Sequence, residues 1–167
     1  MKGLELKGKK IGIIGFGNVG KRVSEISHAL GMEVYIFSSH FESVKDKFKN
    51  YNSSDLKSII TNSDIITFHC KPNKDGSAII NSNEIKLMKK KCILINTARG
   101  GLINEDDLIE SLKNNLIKGA ALDVFNNEPL NESKLFNLDN IILTPHIAAS
   151  TEEAQIVVAE MIANQFC

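Results

Sequence analysis

Arginine is scarce in this chain: of its 20 basic residues only Arg22 and Arg99 are arginine, and the other 18 are lysine. Where lysine meets nearly every need for positive charge, an arginine points to a need for the planar fork that grips an oxyanion through two parallel N–H bonds. Arg22 falls on a helical stretch and reads as a surface residue, so Arg99, in Asn96-Thr97-Ala98-Arg99-Gly100-Gly101, is the one to explain. Two other segments carry reactive side chains behind apolar runs: Asp123 in Ala121–Pro129, and His146 in Thr144–Ser150. Read alone, a loop histidine is an exposed or capping side chain, Glu128 before Pro129 is a turn residue, and His69 is a capping residue. An arginine, an acid and a histidine reaching one edge together need a further reason.

The elements behind them supply that edge. An apolar run, read as a strand over Ile11–Gly15, leads into Gly15-x-Gly17-x-x-Gly20, after which Val19, Val23, Ile26 and Leu30 recur at helical spacing. That is strand, tight turn and helix, with a second strand at Glu33–Phe37 completing a βαβ unit. Glycines there let the backbone bend, approach a pyrophosphate and pack helix on strand, while the phosphates meet free N–H groups and the positive end of the helix dipole. Further strands are expected at Ile65–His69, Cys92–Asn96, Gly119–Val124 and Ile141–Leu143. Helices are expected at Val19–Leu30, Asp55–Thr61 capped by Ser53 or Ser54, Asn83–Lys90, Asn104–Asn115 with Asn104 as cap and the carboxylates of Glu105, Asp106 and Asp107 at its start, and near Ser150–Gln165. This alternation predicts an α/β fold with a doubly wound, mainly parallel sheet (a Rossmann fold), its ligand lying off the carboxyl ends of the strands. Those ends run Gly15, Ser38, His69-Cys70, Asn96–Arg99, Asp123 and Thr144–His146.

The 167 residues are 43% hydrophobic, enough for one domain with a real core, and the formal charge is zero. A neutral chain has no long-range attraction for polyanions, so nucleic acid and membrane surfaces are not expected partners and small-molecule chemistry is. Residues 1–10 are polar and the apolar run behind them is short, which fits neither a signal peptide nor a membrane span; a cytoplasmic protein is expected. Cys70, Cys92 and Cys167 show no metal-ligand spacing and read as reduced structural thiols. Lys89-Lys90-Lys91 reads as a solvated helix end.

Taken in order, Gly15–Gly20, Asn96–Gly101, Ala121–Pro129 and Thr144–Ser150 resemble the D-isomer-specific 2-hydroxyacid dehydrogenase family, and Ser150-Thr151-Glu152-Glu153-Ala154-Gln155 is most similar to its D-3-phosphoglycerate dehydrogenase branch. The resemblance implies hydride transfer between a nicotinamide cofactor and a D-2-hydroxy acid, 3-phosphoglycerate in serine biosynthesis being the expected substrate. Arg99 would bind the substrate carboxylate, and His146 paired with Glu128 would exchange the hydroxyl proton, the carboxylate favouring the protonated ring and fixing its tautomer. The resemblance also places Gly15, Gly17, Asn18, Val19 and Gly20 at the pyrophosphate, Ser38 at the adenosine ribose and Cys70 with Thr97, Ala98 and Arg99 at the middle of the cofactor. Asp123, His146, Ile147, Ala148 and Ala149 would surround the nicotinamide. Ser38 stands where the family carries an acid for the ribose 2′-hydroxyl, and Cys70 where threonine or another small residue is usual. Without that acid a 2′-phosphate is not repelled, yet no arginine is there to bind it: NAD is the expected cofactor, with NADP open. Residues 1–167 then form the dinucleotide-binding domain, the substrate-binding domain being absent, and a homodimer is a candidate assembly. A nucleotide-sensing, corepressor-like interaction protein and an inactive nucleotide-binding fragment are the alternative readings.

Overall fold

The computed structural model describes residues 3–166. Its strands are β1 (Lys10–Ile14), β2 (Glu33–Phe37), β3 (Asn52–Ser53), β4 (Ile65–Phe68), β5 (Ile93–Asn96), β6 (Gly119–Leu122) and β7 (Ile141–Leu143), and its helices α1 (Asn18–Ala29), α2 (Ser39–Val44), α3 (Leu56–Asn62), α4 (Ser82–Leu87), α5 (Glu105–Lys113) and α6 (Glu152–Phe166). They form one seven-stranded sheet in the order β3-β2-β1-β4-β5-β6-β7, every pairing parallel. The chain winds one way from β1 to β3 and the other way from β4 to β7. The switch point lies between β1 and β4, the place where sheets of this kind take their ligand above the carboxyl ends.

Alternation along the strands divides the core between the two faces of the sheet. Ile11 and Ile13 pack with Val34, Ile36 and Phe41 on one side, and Ile14 joins Ile66, Phe68, Leu94 and Leu108 on the other. Burial on both faces explains why these strands are apolar almost throughout. Phe16, within the glycine turn, is itself buried and meets Phe41 and Phe48 edge to face at 4.8 and 5.1 Å, so an aromatic cluster anchors the turn from below.

Two expectations are corrected at helix starts. Asp55, not Ser53 or Ser54, caps α3 by accepting from Ser58 N. Helix α4 begins at Ser82, where Asn81 and Glu84 form a reciprocal capping box. Asn104 caps α5 as its sequence suggests. The strands expected to reach His69 and Val124 stop at Phe68 and Leu122, because the following backbone leaves the ladder to build the site. Helix α2, the two-residue β3 and short 3-10 turns at Lys45–Lys47 and Lys134–Asn137 carry too little periodicity to be expected. Cys92 is buried with its thiol pushed up to about 12 by burial, and burial likewise raises Cys70. Cys167 lies outside the described residues.

Ile66 is fully buried on central strand β4. Ile66→Ala should destabilise the domain by about 2–5 kcal/mol, measured as a lowered urea midpoint with an unchanged slope.

Candidate active site

The glycine turn is built for close backbone approach. Gly15 has φ +102°, and a Cβ on it would lie 2.3 Å from the His69 carbonyl oxygen. A Cβ on Gly20 would lie as close to Gly15 O, whereas one on Gly17 would meet nothing within 4 Å. Two of the three glycines are therefore packed against neighbouring backbone, and the third faces open space at the start of α1. Gly17 is the N-cap residue and offers no side-chain acceptor, which leaves the first-turn amides free for a ligand. This cradle fits a diphosphate. Gly15 N donates to Phe37 O, which sets Ser38, next along the chain, beside the turn.

Arg99 hangs on a turn braced from beneath. Asn96 is buried at the end of β5, its Nδ2 donating to Arg99 O at 2.8 Å and its Oδ1 accepting from Ala98 N at 3.1 Å. Both ends of one amide thus fix the backbone of Thr97–Arg99, while the guanidinium stays exposed. The sequence marks the segment, but nothing in it distinguishes Asn96 as the brace.

The segment following β6 supplies two acids with different duties. Asp123 is buried and turns its carboxylate onto the loop after β7, accepting from Thr144 Oγ1 at 2.5 Å and from Ile147 N and Ala148 N, each at 2.9 Å. Burial pushes its pKa up, but the hydroxyl and the two amides outweigh it and hold the carboxyl below its ordinary value. Expected at the nicotinamide end, Asp123 directs both oxygens to the strap that carries His146. His146 itself has φ +55°, a region that non-glycine residues enter only when their surroundings compel it. Its Nδ1 meets Glu128 Oε2 at 2.6 Å, and the other Glu128 oxygen accepts from Phe125 N at 2.9 Å. The His146 bond, and then the Phe125 amide, lower the Glu128 pKa. With Nδ1 engaged, Nε2 is the ring nitrogen left for a substrate.

An open groove of about 430 Å³ is lined by Arg99, Gly100, Phe125, Glu128 and His146. The guanidinium and the imidazole–carboxylate pair therefore share one hollow at the carboxyl edge. On the other side of the pair a hollow of about 620 Å³ is lined by Leu130, Phe136, Leu143 and Pro145, without Arg99. Thr97 directly follows β5, and Ala148 and Ala149 lie in the loop after β7 that Asp123 holds. Asn18 and Val19 open α1, and Cys70 follows His69 against Gly15, packed toward the core.

Beneath the cradle, His69 Nε2 and the Thr67 hydroxyl are hydrogen-bonded at 3.1 Å, and burial lowers the ring's pKa from 6.5 to about 4. The unfolded chain thus binds a proton that the folded chain refuses between those two values, so stability falls as the pH drops through that window. We expect a loss of roughly 2–3 kcal/mol in denaturant unfolding from pH 6.5 to 4, flattened in His69→Asn. For the strap, Asp123→Asn should speed amide hydrogen exchange at Ile147 and Ala148 by about tenfold or more, the loss of one charge-assisted bond.

Residues 1–148 match the family described as D-isomer specific 2-hydroxyacid dehydrogenase, NAD binding domain. A D-3-phosphoglycerate dehydrogenase from Bacillus subtilis is 39% identical over 163 residues, 98% of this chain and 31% of the relative. A glyoxylate reductase structure from Paecilomyes thermophila superposes with a TM-score of 0.86 at 28% identity, covering 98% of this chain and 50% of its own. An acyclic imino acid reductase in complex with NADPH and D-Arg gives 0.81 at 36% identity over 91% of this chain and 48% of the other. The chain thus spans between about a third and half the length of such relatives. By the glycine cradle, the shared groove and the family match alike, it belongs to the D-isomer specific 2-hydroxyacid dehydrogenases, as their NAD binding domain.

Proposed function

We propose that residues 1–167 form the nucleotide-binding domain of a D-2-hydroxyacid dehydrogenase whose substrate-binding domain lies outside this chain, with 3-phosphoglycerate, and hence serine biosynthesis in the cytoplasm, as the substrate reading. The observation that carries it is the single groove shared by Arg99 and the His146–Glu128 pair. Nicotinamide bound over this edge would supply or take the hydride. Arg99 holds the substrate carboxylate bidentately and draws electron density from the neighbouring 2-oxo group. In reduction His146 gives its Nε2 proton to the carbonyl oxygen as C2 receives the hydride; in oxidation it takes that proton back. Glu128 keeps the ring turned and fixes its tautomer through Nδ1.

Two further features support a two-domain enzyme. Helix α6 exposes Ile156, Val157, Val158, Met161 and Ile162, each by half or more, an apolar surface of the kind that a second domain covers. The groove is open, and excluding water from it needs a facing wall. The phosphoglycerate branch rests on Ser150–Gln155 and on the relative from Bacillus subtilis, whereas the glyoxylate and imino acid reductases keep other substrates in view. Ser38 opens α2 with no side-chain capping bond, so its hydroxyl is free for an adenosine ribose, and NAD is the proposed preference. A homodimer is the proposed assembly.

The test is a steady-state assay of the full-length gene product with 3-phosphoglycerate, hydroxypyruvate and 2-oxoglutarate, beside the dissociation constants of NADH and NADPH. Turnover is expected, with NADH bound more tightly. His146→Gln should lower kcat by about 10²–10⁴, and Arg99→Lys should raise the substrate KM about tenfold or more, with a smaller change in the NADH dissociation constant. Cofactor binding without turnover of any 2-oxo or 2-hydroxy acid would overturn the dehydrogenase reading in favour of nucleotide sensing.

A further inference from the structure

Two straps meet at the acid–base pair, and each is pinned by a carboxylate of its own. His146 rides on the loop after β7, whose amides Asp123 holds. Glu128 rides on the turn Phe125–Glu128, and its Oε1 closes that turn by accepting from Phe125 N. The second amide of the turn, Asn126 N, donates at 2.6 Å to Oε1 of Glu105, which comes from a different element, the first turn of α5. That helix is a firm base: Asn104 caps it, the Asp107 carboxylate accepts from Ser82 N, and Leu108 and Leu112 are buried in the core. The same peptide unit is backed from another direction by the Arg99 turn, since a Cβ on Gly100 would lie 2.0 Å from Phe125 O and 3.0 Å from Asn126 N.

We propose that Glu105 is a positioning residue for the His146–Glu128 pair, and that the Phe125–Asn126 peptide it holds is the mechanical link between that pair and the turn carrying Arg99. Because Glu128 is tied to its own turn, it moves as that turn moves, while His146 is fixed independently by Asp123. A 2.6 Å contact between them requires the two straps to stay in register. Glu105 sets that register through a short charge-assisted bond, and the packing at Gly100 transmits the same placement to the guanidinium. Its importance rests on the acid–base reading of His146, but its geometry does not.

The test reads the imidazole directly. In the ¹⁵N-labelled chain, the ring nitrogens of His146 report which nitrogen carries the proton and whether Nδ1–H is hydrogen-bonded. Glu105→Ala, and Glu105→Asp, which keeps the charge but loses reach, should lower the Nδ1–H population at least about twofold and speed exchange at Asn126 N. Glu105→Gln, whose carbonyl oxygen can still accept, should restore both, and Glu110→Ala on the exposed side of the same helix should change neither. Circular dichroism confirms that each variant is folded; where the alanine variant is not, the aspartate variant decides. Ring signals unchanged from the parent in folded Glu105→Ala or Glu105→Asp, or equally changed in Glu110→Ala, would overturn the proposal. The readout needs no turnover, so a chain without dehydrogenase activity could still show the coupling, and an active one could fail to.

Discussion

Parallel pairing is the constraint on which the rest depends. Because all seven strands run the same way, every strand must deliver its carboxyl end to one edge. Their buried interiors leave no room for polar chemistry, so the reactive groups collect where the strands stop. Gly15, Asn96, Asp123 and Thr144 each stand at or just beyond such an end, and the register between β1 and β4 brings the His69 carbonyl within contact of Gly15. A side chain at Gly15 or Gly20 would force the crevice open from within.

Around that edge the fold uses polar side chains as tethers, two of them, Asn96 and Asp123, buried. Asn96 braces the turn of Arg99 with both ends of its amide, Asp123 gathers a hydroxyl and two amides of the His146 strap, and Glu105 takes an amide of the Glu128 turn. None of these three atoms sets reaches into the groove to touch a substrate. At Asn96 and Asp123 fixed bonds replace lost hydration, which is the condition for a buried polar group to be tolerated, and all three tethers hold the site in advance of binding. The left-handed backbone at His146 is a product of the same restraint: one residue from amides locked to Asp123, it has few ways to present its ring.

The cofactor side is organised by packing. Phe16 fills the space beneath the turn against Phe41 and Phe48, so the glycines bend over an aromatic support. Of the three turn glycines, Gly17, with nothing near its missing side chain, is the one left open to a ligand.

The sequence by itself determined the α/β alternation, the glycine turn and the three segments that carry Arg99, Asp123 and His146, because these depend on local periodicity and on residue types whose purposes are few. It also named Asn104 as a helix cap, a contact made within one turn. It did not distinguish Asp55 from Ser53 and Ser54 at α3, since all three residue types cap helices and the backbone decides which is placed to do so. Nor did it distinguish Asn96, Thr144 or Glu105 as tethers, since ordinary polar residues acquire that purpose only when the folded backbone or a distant segment presents a partner. Asp123 was legible as an acid at the right edge, but the direction of its carboxylate, toward the His146 strap, was settled by the packing of two loops 21 to 25 residues apart in the chain. Contacts of that range are set by tertiary geometry, and no pattern of neighbours along the chain encodes them.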